Sequence, residues 1–167
     1  MKYLLIDFID IYFAGNYKWA KKFYFGTTNL ACFNKGKRSP SISTLRITHR
    51  YLEYRNYFYE FVGHRAGSVY INRYNSRQHH CNSEIDYPAA GYGVLSKECV
   101  NGCAVHFAKT QVYSLFTKNC HHFVNWLANI LCTRSTCPED CEKYKMRVEE
   151  GAYITFQEIT ILEEHGN

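Results

Sequence analysis

The sequence predicts an α+β fold in which an antiparallel sheet packs against a helix, and three stretches predict it. Residues 45–63 are dense in Tyr, Phe, Ile, Leu and Val, broken only by the polar pair Arg55 and Asn56 and closed by Gly63, the pattern of a β-hairpin. From residue 123 onward Phe123, Val124, Trp126, Leu127, Ile130 and Leu131 follow helical spacing, which gives a helix with one buried face. Residues 152–162 carry the β-branched and aromatic content of a final strand.

Taken in chain order, residues 1–13 are apolar but too short to span a bilayer, and Asp7 and Asp10 interrupt them. They read as a strand or short helix of the fold, with a signal peptide as the weaker alternative. Residues 17–24 form a basic, aromatic patch suited to peripheral contact with a membrane surface. Residues 35–41 are a basic loop rich in breakers. With Arg55 and Asn56 as a two-residue turn, Tyr54 pairs with Tyr57, Leu52 with Tyr59 and Tyr51 with Glu60. Alternation then puts His49, Tyr51 and Glu53 on one face with Phe58, Glu60 and Val62. Residues 63–69 are a turn and 69–74 another strand. Residues 75–93 are polar, with His79, His80, Pro88 and paired glycines, and read as a surface loop placed to cover the site, its two histidines solvated rather than ligating. The chain ends in a polar stretch with Glu163 and Glu164, so a cytoplasmic or peripheral-membrane location without a transmembrane segment is expected.

At 167 residues the chain is expected to be a single domain, and 46% hydrophobic residues suffice for a core. The 15 Tyr and 11 Phe are mainly core, and the surplus suits an apolar substrate groove or a membrane interface. A net charge of +5 favours anionic headgroups. It does not predict a nucleic-acid partner, because the basic residues are spread along the chain rather than gathered in one stripe. Repeats, phosphate-binding loops and dinucleotide fingerprints are absent, and no cofactor is expected.

The chemistry centres on Cys120, which follows Asn119, a natural N-cap, and so falls in the first turn of the predicted helix. Unpaired N–H groups and the positive end of the helix dipole favour a thiolate there. The plainer alternative is a buried cysteine acting as a small hydrophobe, and a base within reach decides between them. His49 is the candidate base. Glu60, its diagonal neighbour across the hairpin, is the candidate acid that fixes its tautomer and stabilises the imidazolium.

The pattern Tyr113, Ser114 and Leu115, then Asn119, Cys120, His122, Phe123 and Val124 leading into an apolar helix, resembles the lecithin:retinol acyltransferase-like family. That family carries a nucleophile motif Asn-Cys-Glu-His-Phe-Val, and His49 fits its upstream histidine. Glu60 stands where its second histidine is expected, and residues 99–109 fit the helix before the motif. The likeness covers residues 44–131, which would be the catalytic core, flanked by an aromatic segment 1–34 and a Cys-rich extension 132–167. It implies a circularly permuted papain-like fold with His before Cys and a Cys-His acyl-enzyme. A phospholipid or other lipid ester would be the acyl substrate, and backbone N–H groups at the start of the Cys120 helix the oxyanion donors. Three departures stand out: His121 for the glutamate, expected to point away from the nucleophile; Glu60 for the second histidine; and a missing Pro-Gly-Asp-Leu-like entry to the first strand.

Other readings remain open from the same residues. Residues 59–63 resemble the Glu-containing second strand of PPPDE-type isopeptidases, so a cysteine peptidase or isopeptidase of the permuted group is the alternative, marked by a polar rather than an apolar groove. A non-catalytic or zinc-stabilised binding module is the third. Cys132, Cys137 and Cys141 lie near His121 and His122 in sequence, but their spacing is loose for zinc, and a local disulfide or plain thiols rank above a metal site. Cys99 and Cys103, at i, i+4, read as packing residues.

Overall fold

The structure, a computed structural model, describes residues 19–29, 48–63, 68–72, 83–145 and 153–155. Residues 1–13, the loop 35–41 and His79 with His80 lie outside the described residues. An antiparallel sheet is built from β1 (Lys21–Asn29), β2 (Thr48–Tyr54), β3 (Tyr57–Val62), β4 (Ser68–Asn72), β5 (Ser83–Ile85), β6 (Gly91–Gly93) and β7 (Tyr153–Thr155). The order is β5-β1-β2-β3-β4-β7, and β6 also pairs with β1. Helices α1 (Lys97–Thr110), α2 (Cys120–Thr133) and the short α3 (Glu139–Glu142) complete an α+β fold.

The hairpin has the expected register, with Tyr51 opposite Glu60, Leu52 opposite Tyr59 and Tyr54 opposite Tyr57. Its turn residues Arg55 and Asn56 have φ of 52° and 63°, the left-handed pair that suits the strand twist. Asn accepts this conformation readily, whereas at Arg55 it costs roughly 1 kcal/mol. Arg55 is held by its Nε donating to the Leu95 carbonyl at 3.0 Å and by its guanidinium over the Tyr54 ring.

Residues 83–93 correct the expectation of a surface loop over the site. β5 and β6 lie end to end along the outer edge of β1, pairing Gly26 with Ile85 and Lys22 with Tyr92. The N–H groups of Asp86 and Ala90 extend that ladder to the carbonyls of Phe25 and Phe23. Three-residue strands have no readable periodicity, and their partner is distant in sequence. Of the predicted last strand, residues 153–155 form β7 against β4, and the remainder lies outside the described residues.

Alternation puts Phe23, Leu52, Tyr54, Tyr59, Phe61, Val69 and Ile71 on one face of the sheet, and all are buried. They share a core with Val100, Ala104 and Phe107 of α1 and with Phe123, Val124, Leu127 and Leu131 of α2. Phe61, Phe107 and Phe123 meet with ring centroids 5.1–5.9 Å apart, mostly edge-on or tilted. Buried phenols find partners: Tyr59 donates to Asn101 Oδ1 at 2.9 Å and Tyr54 to the Leu95 carbonyl at 2.7 Å. Desolvation costs are thereby offset.

The cysteines of α1 are corrected as well. Cys99 is bonded to Cys137 and Cys103 to Cys141, each bridge spanning 38 residues. Both pairs are four residues apart, so two cysteines on one face of α1 meet two presented by the segment running into α3. Gly102 lets that segment approach, since a Cβ there would lie 2.2 Å from the Cys141 carbonyl oxygen. This pairing replaces the local bridge expected within residues 132–141 and removes Cys137 and Cys141 as zinc ligands.

Candidate functional site

Cys120 opens α2 because Asn119 stops the preceding turn and caps the helix. The Asn119 side-chain oxygen accepts the N–H groups of His121 at 3.0 Å and His122 at 3.3 Å, and its backbone carbonyl accepts that of Phe123 at 3.1 Å. The N–H groups of His121 and His122 are engaged by that cap, and the N–H of Cys120 is not among the groups the Asn119 side chain takes.

His49 is the second residue of β2 and Glu60 the fourth of β3, and both are buried. The register that sets Tyr51 against Glu60 brings His49 into diagonal reach, and His49 Nε2 lies 3.0 Å from Glu60 Oε2. Tyr51 fills the flank of this pair toward β1, its ring lying where a Cβ at Gly26 would stand only 2.1 Å away. Since Nε2 serves Glu60, Nδ1 is the His49 nitrogen left for the Cys120 thiol, with which the His49 side chain hydrogen-bonds. All three predicted residues are thus brought together in one line, sulfur to imidazole to carboxylate.

Electrostatics at the thiol balance two opposed effects. Burial pushes the Cys120 thiol up, but the hydrogen bond and charge of His49, together with the backbone N–H groups of Arg50 and His121, outweigh it. The result is a thiol held below its ordinary value. Cys120 is buried and free of any disulfide, whereas Cys132, also unbridged, is exposed.

Two features were missed by reading the sequence. The Arg50 N–H toward the sulfur is a backbone group, so no residue pattern could announce it. His121 does not point away from the site: it hydrogen-bonds the Thr48 carbonyl at the start of β2, one residue before His49. Its imidazole is held below the ordinary histidine value, chiefly by burial and then by the Arg50 guanidinium, while the Thr48 carbonyl acts in the opposite sense. Arg50 in turn lies over the Phe25 ring at 4.3 Å and approaches Asp86 at 3.8 Å.

The segment just before Cys120 exposes apolar side chains. Val112, Leu115 and Phe116, in the turn that leads into α2, are among the most exposed large hydrophobic side chains described. Among the described residues no cluster of His, Cys, Asp and Glu is arranged to hold a metal ion, and no helix is long and apolar enough to cross a membrane. The chain matches no family model, no curated protein and no solved structure.

Proposed function

We propose that this protein is a thiol enzyme that takes an acyl group from a lipid ester onto Cys120. The observation that carries the reading is the buried line from Cys120 through His49 to Glu60, with its 3.0 Å imidazole–carboxylate contact. In the proposed reaction the Cys120 thiolate attacks the ester carbonyl, and the N–H of Cys120 meets the developing oxyanion. The imidazolium of His49 gives its proton to the departing alcohol, leaving a thioester. Water then completes a hydrolysis, or an amine or alcohol completes an acyl transfer, with His49 as general base. Glu60 holds the His49 ring in the tautomer this needs.

The order of His49 before Cys120 and a sheet packed on the Cys helix support a circularly permuted papain-like arrangement similar to the lecithin:retinol acyltransferase-like family. The exposed apolar side chains of Leu115 and Phe116, on the turn just before Cys120, favour a lipid over a peptide substrate. The two disulfides favour an oxidising compartment, or the outer face of a membrane, over the cytoplasmic location expected from sequence.

Limiting iodoacetamide near pH 6, read by intact-protein and peptide mass spectrometry, tests the site. Cys120 is expected to label ahead of Cys132, and labelling falls by at least about tenfold in His49→Ala. The sign of the pH profile follows from the causes. In the parent the alkylation midpoint lies below that of an ordinary thiol. Removing the imidazole leaves only the backbone N–H groups of Arg50 and His121 to oppose burial, so the midpoint in His49→Ala moves upward. A Cys120 no more reactive than Cys132 would sink the enzymatic reading. Given selective labelling, an acyl adduct on Cys120 from a phospholipid but not from a peptide ester supports the lipid assignment.

A further inference from the structure

The turn before the nucleophile exposes side chains that a soluble surface normally hides. Phe116 is 90% exposed, Val112 70% and Leu115 69%, within nine residues of Cys120. Their exposure is built rather than slack. Tyr113 packs against Phe61 with ring centroids 5.3 Å apart, and Ser114 and Lys118 exchange backbone hydrogen bonds of 2.8 and 3.1 Å. Asn119, which caps α2, also donates from Nδ2 to the Leu115 carbonyl at 2.8 Å. One residue therefore fixes both the nucleophile's helix and the apolar tip beside it.

The sequence to either side of this tip carries charge of one sign. From Cys99 to Pro138 the chain contains Lys109, Lys118 and Arg134 and no Asp or Glu. Lys118 is exposed on the same turn as Phe116. Exposed Phe and Leu on a rigid turn with a flanking lysine match an anionic bilayer surface, where apolar side chains enter the acyl boundary and ammonium groups stay among the headgroups. A soluble polyanion would be met by the lysine but would leave the tip exposed. A second protein copy would need an apolar counterpart and gains nothing from the missing carboxylates.

We infer that the turn formed by residues 112–118 docks the protein on an anionic lipid surface, inserting Leu115 and Phe116 and setting Cys120 at the bilayer interface. The purpose of this surface rests on the lipid-ester reading, but its test does not. The full chain with its disulfides intact is sedimented with sucrose-loaded vesicles of phosphatidylcholine, with and without phosphatidylserine. It partitions to the anionic vesicles. Leu115→Ser with Phe116→Ser lowers the partition by about tenfold or more. Lys118→Glu, or removal of phosphatidylserine, lowers it by about fivefold. Circular dichroism checks that the variants are folded, and independently Phe116→Trp shows a blue-shifted emission on adding anionic vesicles.

Cys120→Ser separates the two readings, because it pellets as the parent does. An unreactive Cys120 with Phe116-dependent partition removes the enzymatic reading and leaves the docking surface. A reactive Cys120 in a chain that stays in the supernatant overturns the docking surface alone. The inference is also overturned if the double serine variant pellets like the parent, or if Phe116→Ser abolishes a concentration-dependent dimer in a chain that ignores vesicles.

Discussion

Cys99 and Cys103 on α1 and Cys120 at the start of α2 are all buried helical cysteines, yet the first two face sulfur and the third faces an imidazole. Burial does not distinguish them; position in the helix and the opposing group do. In α1 the pair lies on one face, with Gly102 opening the way for Cys137 and Cys141. At the head of α2 the backbone N–H groups are directed at the first turn and β2 supplies a base, so the thiol is poised for a charge rather than a bridge. One region spends its cysteines on holding the chain, and the other keeps a free thiol beside an imidazole.

The largest effect is expected from separating the two regions. Replacing Cys99, Cys103, Cys137 and Cys141 by Ala should lower unfolding stability by roughly 4 kcal/mol, read from urea melts. A single bridge closing a loop of this size accounts for most of that, since the second bridge shares the loop and adds less. Selective labelling of Cys120 should survive in the folded variant. If it is lost, the bridges also set the geometry of the thiol site and the contrast between the regions fails. Gly102→Val should reproduce the loss with the cysteines present, because its side chain meets backbone that cannot swing aside.

Glu60→Ala acts on the other region. It strips the buried His49 ring of its 3.0 Å carboxylate partner and should cost about 3 kcal/mol, with Cys120 labelling near pH 6 reduced alongside. Glu60→Gln, which keeps an acceptor oxygen, should recover much of the stability and less of the labelling. Equal recovery of both would mean that Glu60 holds the fold without tuning His49.

What the sequence disclosed follows from the range of the interactions. The hairpin register, the His49–Glu60 diagonal and the Asn119 cap are local, set by period-two alternation and by a cap within three residues, and all three are where the pattern put them. The bridges from α1 and the edge strands β5 and β6 join segments far apart in sequence, and the strand residues carry no marker of the partner. Matched spacing of four in both cysteine pairs was the one available clue. Helix position alone turns the His121 side chain away from Cys120, and the β2 carbonyl that draws it inward is not legible from that position.

Asn119 offers a smaller and more divided test. Asn119→Ala removes the cap of α2 and should cost about 1 kcal/mol in urea melts. It also frees the Leu115 carbonyl, so the turn carrying Phe116 should exchange its amide hydrogens faster than α1 does. Asn119→Asp, which keeps the capping oxygen but loses the Nδ2 donor, should restore the melt and leave the faster exchange. If both properties return together, the cap and the turn are not held independently by the two ends of this side chain.

The smallest effect belongs to His121. Burial, and then the Arg50 guanidinium, hold its imidazole below the ordinary histidine value, against the Thr48 carbonyl. A histidine whose folded value lies below its unfolded one, near 6.5, binds its proton more readily when the chain is unfolded. Its contribution to stability is therefore present above about pH 6.5 and lost as pH falls through that value toward the folded one. His121→Gln can still donate to the Thr48 carbonyl and has no proton to gain. Between pH 7.5 and 5.5 the parent should lose slightly more in melting temperature than His121→Gln, and the gap should narrow in 0.5 M salt, where the Arg50 contribution is screened. Parallel melting curves across that range would mean that His121 is free to charge in the folded protein. Its bond to β2 would then be no part of what keeps the start of that strand, and with it His49, against the head of α2.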